Sequence, residues 1–301
     1  MRVAYFTAGS SGAGHLVRGI ALGRGLARRG ARVTFQMFGP WLPFAAAARD
    51  DYTVVRIDPA ELRDPESARA SALEGTLRDF APDLLLVDCY WAPLVHLLPL
   101  PGCEAWLLAR WLPASWFVGP ADTRFDPSRY RRILAIEPRQ VPGATDLVPP
   151  VVICNPGEEK PAGSLRRHLG VPDGQPLRVI AHAGVAGEAH ALAVPGAPHA
   201  LAGESGAGGS SPGSAPIVLS LHDAAALFPL AEWLGDADEI SCFAGYNSYW
   251  EARWLGTWPR TRFSVLDRQR PEHEWRLRAC GQVAMAANGA DVIAKLITGG
   301  G

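Results

Sequence analysis

Short apolar segments alternate with segments of helical pattern through the first half of the chain, and this alternation constrains the fold most strongly. Helical patterns at 15–29 and 66–80 separate apolar runs of the length typical of buried strands. Strands joined through helices form right-handed βαβ units. The sequence therefore predicts an α/β fold with a parallel sheet. The predicted strands of this half cover residues 3–7, 32–38, 52–57, 84–87, 105–109 and 133–136.

The same rhythm returns in the last third of the chain. The predicted strands there are 177–181, 217–221, 239–243 and 262–266. The predicted helices are 165–169 (with Ser164 as N-cap), 224–234, 247–255, 271–287 and 290–297. A chain of 301 residues has the length of about two domains. We predict an N-terminal domain over 1–150 and a leaner C-terminal domain over 151–301.

Residues 186–216 interrupt the second domain between its first two predicted strands. The segment is rich in glycine, alanine, serine and proline. Such a composition buries too little apolar surface to offset the entropy of ordering. The sequence predicts a flexible insertion here.

Composition excludes several classes of function. A net charge of −1 gives no electrostatic basis for nucleic-acid binding. The five cysteines are scattered without a C-x-x-C pair, which argues against a disulfide framework or a zinc site and favours a reducing compartment. No signal peptide and no apolar run of membrane-spanning length is visible. We expect a cytoplasmic protein.

A glycine-rich turn follows the first predicted strand and ends in a histidine at the start of a helix. Gly9, Gly12 and Gly14 allow a tight turn and close approach of a ligand, and His15 adds a titratable ring. A dinucleotide-binding fingerprint needs a third glycine where Val17 stands, and an acidic residue after the second strand. The turn also lacks the Gly-Lys-Ser/Thr of a P-loop and the G-x-S-x-G of a hydrolase.

The remaining pattern, Gly12-x-Gly14-His15 with Arg18 one turn into the helix, resembles the N-terminal loop of GT-B nucleotide-sugar glycosyltransferases. It is most similar to the group that includes the peptidoglycan N-acetylglucosaminyltransferase, and to a related UDP-sugar hydrolase. The resemblance implies two Rossmann-like domains that face a central cleft.

The second half carries a matching motif. Ala244-Gly245-Tyr246-Asn247-Ser248-Tyr249-Trp250-Glu251-Ala252 is similar to the donor-binding loop and helix of these transferases. The resemblance implies that Gly245, Tyr246, Asn247 and Ser248 hold the diphosphate, while Glu251 binds the ribose hydroxyls. A helix N-terminus does stabilise an anion, and a carboxylate can accept two hydroxyl hydrogen bonds.

A downstream segment resembles the part of the family that contacts the donor sugar. It consists of Asp267, Arg268 and Gln269, and its order differs from the usual Asp-Gln pair. No Asp-x-Asp metal motif is visible, so we expect neither a metal nor another cofactor. The nucleotide sugar, which is expected to be UDP-linked, would be a co-substrate.

The function implied by the resemblance is transfer of a hexosyl or N-acetylhexosaminyl group with inversion. His15 would remove the proton of the acceptor hydroxyl, because a helix N-terminus disfavours imidazolium and keeps the ring available as a base. The alternative for His15 is a hydrogen bond that only caps the loop.

Four further residues are weaker candidates. Arg18 lies one turn into the first predicted helix, whereas Asp88, Arg110 and His182 lie near the carboxyl ends of predicted strands, where α/β proteins place ligand-binding groups. A turn cap for Asp88 and a structural ion pair for Arg110 are the competing interpretations.

The acceptor is expected to be a small molecule or lipid-linked. Trp41, Leu42 and Phe44 follow the second predicted strand and could contact a lipid-linked acceptor or a membrane surface, although buried packing is equally compatible. Two other functions stay open: hydrolysis of a nucleotide sugar with His15 activating water, and nucleotide binding without catalysis.

Overall fold

The computed structural model describes residues 1–10, 12–40, 53–118, 124–138, 141–185, 187–189, 192, 215–221, 227–281 and 283–299. These residues form two compact units. The first contains Met1–Ser11, Arg18–Val151 and Ala286–Gly301, and the second contains Gly12–Val17 and Val152–Met285. Gly12, Gly14 and the start of the first helix therefore belong to the second unit, whereas Gly9 belongs to the first.

The first unit is built on a seven-stranded parallel sheet. Its strands are β1 (Arg2–Phe6), β2 (Thr34–Gly39), β3 (Thr53–Arg56), β4 (Leu84–Asp88), β5 (Glu104–Ala109), β6 (Arg132–Ala135) and β7 (Asp146–Leu147). They lie in the order β3-β2-β1-β4-β5-β6-β7. Connections leave β1 and β4 in opposite directions, so the topological switch point of this sheet lies between them.

The second unit has a four-stranded parallel sheet in its described part. Its strands are β8 (Arg178–His182), β9 (Ile217–Ser220), β10 (Glu239–Phe243) and β11 (Thr261–Ser264). They lie in the order β11-β10-β8-β9, which puts the switch point between β8 and β10. The predicted α/β fold with two parallel-sheet domains is confirmed.

The described helices flank these sheets. They are α1 (Gly14–Arg28), α2 (Pro65–Ala70), α3 (Leu73–Phe80), α4 (Ser164–Leu169), α5 (Tyr246–Trp254), α6 (Arg270–Ala279) and α7 (Gly289–Ile297). Within the described residues, none of the helices has the length and apolar character that crossing a bilayer demands.

The central strands explain the continuous apolar runs of the sequence. Every residue of β4 is buried, and so are Val3, Ala4, Tyr5 and Phe6 of β1. Strands covered on both faces lose the alternation of half-exposed strands. Helix α7 also packs in this unit, where a Cβ on Gly25 of α1 would lie 2.6 Å from the Ala290 carbonyl oxygen. The glycine lets the two helices approach closely.

Four local predictions were wrong. The predicted helix 66–80 is interrupted because Ser71 is extended and its hydroxyl accepts a hydrogen bond from the Leu73 N–H at 3.0 Å. Gly163, not Ser164, precedes α4. Within 224–234, the described residues form 3₁₀ turns after Pro229 rather than a helix. Helix α6 ends at Ala279 instead of continuing to 287.

Several predictions fall on residues outside the described ranges. They include Trp41, Leu42 and Phe44, as well as most of the predicted insertion at 186–216. Strand β7 was not predicted because it has only two residues and lacks an apolar run.

Candidate functional site

The switch point of the second sheet brings two loops together at the carboxyl ends of β8 and β10. His182 ends β8, and Ala183 and Gly184 follow it. Phe243 ends β10, and Ala244 and Gly245 lead into helix α5. Ligands of open α/β sheets bind in the crevice at this position, so the topology alone selects the same region as the sequence motif.

Helix α5 starts without a side-chain cap. Gly245 is its N-cap residue, in extended conformation, and glycine has no side chain that could accept a hydrogen bond from the first turn. Ala244, just before it, is held by the buried Arg276, whose Nη1 donates to the Ala244 carbonyl oxygen at 3.2 Å. The backbone before this helix is held in place, and its first turn contains no acidic side chain. Such a helix start is suited to binding an external anion.

The predicted diphosphate-binding residues occupy this first turn. Tyr246 is buried with its ring 5.8 Å from the Arg276 guanidinium carbon, whereas Asn247 and Ser248 are partly exposed. The Asn247 side chain also donates through Nδ2 to the Gly14 carbonyl oxygen at 3.0 Å. The first turn of α5 is therefore tied to the glycine-rich turn of the same unit.

The glycine-rich turn lies against the loop after β8. Ala13 N–H donates to the Ala183 carbonyl oxygen at 3.1 Å. Gly12 has φ of +132°, and a Cβ on it would lie 2.5 Å from the same oxygen. Only glycine fits both the backbone conformation and the available space. Gly14 begins α1, and His15 is the next residue, partly exposed.

Glu251 lies in the second turn of α5 with an uncompensated carboxylate. Its Oε1 is shielded from solvent and has no hydrogen-bond partner in the described part of the chain. Burial raises the pKa of Glu251 to about 7. Its neighbours include the thiols of Cys154 and Cys242, whose pKa is raised by burial and then by the Glu251 charge. A buried acceptor of this kind is stabilised when a donor group reaches it.

His182 belongs to a polar group at the end of β8. Its ring is buried, with Nδ1 3.4 Å from Ser220 Oγ and Nε2 3.7 Å from Glu188 Oε2. Glu188 binds Arg268, with Nε to Oε1 at 2.7 Å. Hydrogen bonding to Arg268 is the main cause that lowers the pKa of Glu188. A Cβ on Gly184 would lie 2.6 Å from Glu188 Oε2, so the Glu188 carboxylate lies directly against the backbone of the loop after β8.

The side chains of the three residues in the predicted sugar-binding segment have different partners. Arg268 pairs with Glu188, whereas the Asp267 side chain is 87% exposed and pairs with Arg270. Gln269 Oε1 lies 3.2 Å from His273 Nε2, and His273 Nδ1 accepts the Leu266 N–H at 3.1 Å. Of the three, Arg268 is directly connected to the loop after β8.

Two of the weaker candidates form a buried ion pair in the first unit. Arg18 Nη2 lies 2.9 Å from Asp88 Oδ2, and Arg18 Nε lies 3.1 Å from both carboxylate oxygens. The Tyr5 hydroxyl donates to the same carboxylate. The side chains of Arg18 and Asp88 are only 3% and 0% exposed. Asp88 thus holds β4 to β1 and α1, instead of capping a turn.

Arg110, the fourth candidate, follows β5 in the first unit and is partly exposed. The structural ion pair expected as its alternative is absent among the described residues.

Sequence reasoning missed Glu188, Arg276 and Tyr5. Glu188 lies in a segment without periodicity, Arg276 has the sequence pattern of a solvated helix face, and Tyr5 lies within an apolar strand. No sequence signal distinguishes them.

The described residues contain no group of three or more histidine, cysteine, aspartate or glutamate side chains arranged to hold a metal ion.

No protein-family model matches the sequence, and no curated protein does. Solved structures do match the fold. The spinosyn forosaminyltransferase SpnP is 16% identical, with a TM-score of 0.54 and coverage of 99% of this chain and 90% of that one. UGT2 of Phytolacca americana, complexed with UDP-2fluoro-glucose and pterostilbene, is 13% identical, with a TM-score of 0.54 and coverage of 98% and 89%.

The glycosyltransferase SnogD from Streptomyces nogalater is 18% identical, with a TM-score of 0.50 and full coverage of both chains. The chain has the two-sheet α/β fold of GT-B glycosyltransferases. At these identities the likeness concerns the fold, so the activity must be argued from the site.

Proposed function

We propose that this protein transfers a sugar from a nucleotide-sugar donor to an acceptor hydroxyl, with inversion at the anomeric carbon. One observation carries the proposal. At the switch point of the second sheet, the same helix has a glycine N-cap and a shielded Glu251 oxygen that has no partner among the residues the structure describes. The first suits a diphosphate and the second suits hydroxyl donors such as those of a ribose.

The backbone N–H groups of the first turn, at Tyr246, Asn247 and Ser248, would hold the diphosphate. They would stabilise the negative charge that develops on it as the bond to the anomeric carbon breaks. Arg268 would contact the donor from the loop after β11, together with Asp267 and Gln269. His182 would orient the loop after β8, because its ring is buried beside Ser220.

His15 would act as the general base. It is the second residue of α1, and the preceding Gly14 carbonyl oxygen is bound by Asn247 of the proposed diphosphate site. The imidazole would take the proton of the acceptor hydroxyl as its oxygen attacks the anomeric carbon. The electron pair of the broken bond would leave with the nucleoside diphosphate.

The finer points of the proposal follow the sequence motifs. We propose a UDP-linked hexosyl or N-acetylhexosaminyl donor, as in the peptidoglycan transferase group that the first motif resembles. The acceptor would be a small or lipid-linked molecule, with peripheral membrane contact in the second case, and no nucleic acid is involved. Residues 1–150 would serve the acceptor and 151–301 the donor, in the cytoplasm and without a resident metal.

Turnover assays test this proposal. UDP-glucose and UDP-N-acetylglucosamine are incubated with 4-nitrophenol as a phenolic acceptor, and free UDP, free sugar and glycoside are quantified by mass spectrometry. We expect glycoside and UDP in equal amounts, unaffected by EDTA. His15→Ala should lower turnover by about 10²–10⁴-fold.

Other outcomes would change the assignment. UDP and free sugar without an acceptor would indicate the hydrolase, with His15 activating water. Full turnover by His15→Ala would contradict its role as base, and the absence of any nucleotide binding would contradict the proposal.

A further inference from the structure

Arg110 lies at the carboxyl edge of the first sheet beside the end of β4. Asp88 of β4 pairs with Leu108 of β5 in register, so Arg110 and Tyr90 lie two residues beyond a matched pair. Burial raises the pKa of the Tyr90 phenol, and the Arg110 charge acts on it in the opposite direction. Arg110 is therefore next to the switch point of this sheet, where ligands bind in this class of fold.

No carboxylate among the described residues neutralises Arg110. Its Nε is shielded from solvent and has no hydrogen-bond partner in the described ranges. Three other arginines of the unit do have a carboxylate partner: Arg18 pairs with Asp88, Arg129 with Asp126 and Arg132 with Asp146. A partly buried guanidinium loses hydration without compensation, and an anion would restore it.

An acid on the neighbouring strand's edge, Glu137, binds the backbone next to Arg110. Glu137 follows β6, is buried, and accepts the Trp111 N–H through Oε2 at 2.9 Å. This hydrogen bond fixes the backbone directly after Arg110. The backbone position of Arg110 is thereby restrained.

Two aromatic side chains stand at the same edge. The rings of Tyr90 and Trp116 are 5.1 Å apart and nearly perpendicular, at 79°. Trp116 is fixed by its Nε1, which donates to the Cys89 carbonyl oxygen at 3.3 Å, and by its own carbonyl oxygen, which accepts from Trp91 Nε1 at 3.2 Å. Both Tyr90 and Trp116 remain partly exposed. A fixed edge-to-face pair offers a third ring an apolar contact at little entropic cost.

We propose that Arg110 binds the carboxylate of an aromatic acid whose ring packs against Tyr90 and Trp116. The guanidinium fork matches a carboxylate in a bidentate manner. As a statement about the acceptor, this inference rests on the proposed transferase function, and it selects acidic phenols among acceptors. Binding itself can be measured without donor or turnover.

The test uses two probes of equal shape, 4-hydroxybenzoate and 4-hydroxybenzamide, with binding followed by tryptophan fluorescence. We expect the full chain to bind the acid at least about 10-fold more tightly than the amide. Arg110→Gln should abolish this preference and leave amide binding unchanged. Arg110→Lys, which keeps the charge but not the fork, should retain part of it.

Arg131→Gln is the matched control, because Arg131 is exposed, precedes β6 at the opposite edge of the sheet and carries the same charge. It should behave as the unaltered chain. Equal affinities for acid and amide in the unaltered chain, absence of binding by both probes, or an equal loss in both variants would overturn the proposal. Thermal melts show whether each variant is folded. If Arg110→Gln is not folded, the acid-over-amide preference of Arg110→Lys tests the proposal instead. Acid binding without sugar transfer would contradict only the proposed function.

Discussion

The carboxyl edges of the two sheets obey the same topological rule but use their polar groups differently. At the first edge, between β1 and β4, Asp88 binds Arg18 and Tyr5 in a buried group. At the second edge, between β8 and β10, helix α5 starts without a side-chain cap and Glu251 keeps a shielded oxygen without a partner in the described residues. Asp88 holds elements of the first edge together, whereas Glu251 at the second edge is available to a ligand, as is Arg110 beyond β5 of the first sheet.

This difference shows that position at a switch point does not by itself make a residue functional. Asp88 and Glu251 both lie where α/β folds bind ligands, but the partner of each decides its role. Removing a buried carboxylate that is paired with an internal cation leaves that cation uncompensated, whereas a buried carboxylate oxygen without a partner costs free energy until a donor arrives.

The largest effect on stability is expected from Asp88→Asn at the first edge. It would leave the buried Arg18 cation without its counter-charge and lower the free energy of unfolding by about 3–5 kcal/mol. Urea unfolding followed by circular dichroism measures this loss. Asp146→Asn is the control, because its ion pair with Arg132 is partly exposed and should be worth less than about 1 kcal/mol. Equal losses would remove the contrast between buried and exposed pairs.

Gly12→Ala should have the next largest effect. The new Cβ would meet the Ala183 carbonyl oxygen in a backbone conformation that alanine disfavours, which costs about 1–3 kcal/mol and disturbs the turn before His15. Gly30→Ala serves as the comparison, since Gly30 also has positive φ but open space around its Cα. Thermal melts should show a clearly smaller loss for Gly30→Ala, and the reverse order would mean that the turn is not held against Ala183.

Glu251→Gln should change the pH dependence of stability. Burial raises the pKa of Glu251 to about 7, above the value of about 4.3 in an unfolded chain. The native state therefore binds the proton more tightly, and its stability falls as pH rises from about 4.5 to 7. The variant lacks this loss and should gain about 1–3 kcal/mol over the unaltered chain across that range. Parallel curves from pH 4.5 to 8 would show that Glu251 is solvated.

The smallest effect is expected from Glu188→Gln. Its partner Arg268 has a side chain 36% exposed, so breaking this ion pair should cost less than about 1 kcal/mol. Thermal unfolding at low and at high salt measures the change, which should shrink as salt is added. A loss of stability comparable to that of Asp88→Asn would mean that the ion pair at the second edge contributes as much to stability as the buried pair at the first.

Periodicity and glycine placement were sufficient to predict the fold, because each buried strand of the first sheet is a continuous apolar run. The helix at Tyr246–Trp254 was predicted from its motif and begins one residue before the predicted start. The sequence did not allow us to predict which charged side chains form ion pairs with each other. Arg18 and Asp88 are 70 positions apart, and only the tertiary structure shows that they neutralise each other. For the same reason, the sequence could not show that Arg268 pairs with Glu188 while Arg110 has no such partner among the described residues.

The central claim is that helix α5 binds a nucleoside diphosphate, and calorimetric titration at pH 8, where Glu251 is ionised, tests it most directly. UDP should bind with one-to-one stoichiometry, and uridine, which lacks the diphosphate, should bind at least about 10-fold more weakly. Glu251→Gln should weaken UDP binding about 10-fold or more, whereas Glu272→Gln, a charge-matched control on α6, should leave it unchanged. Absence of heat with millimolar UDP or thymidine diphosphate, or equal affinities for UDP and uridine, would contradict the claim.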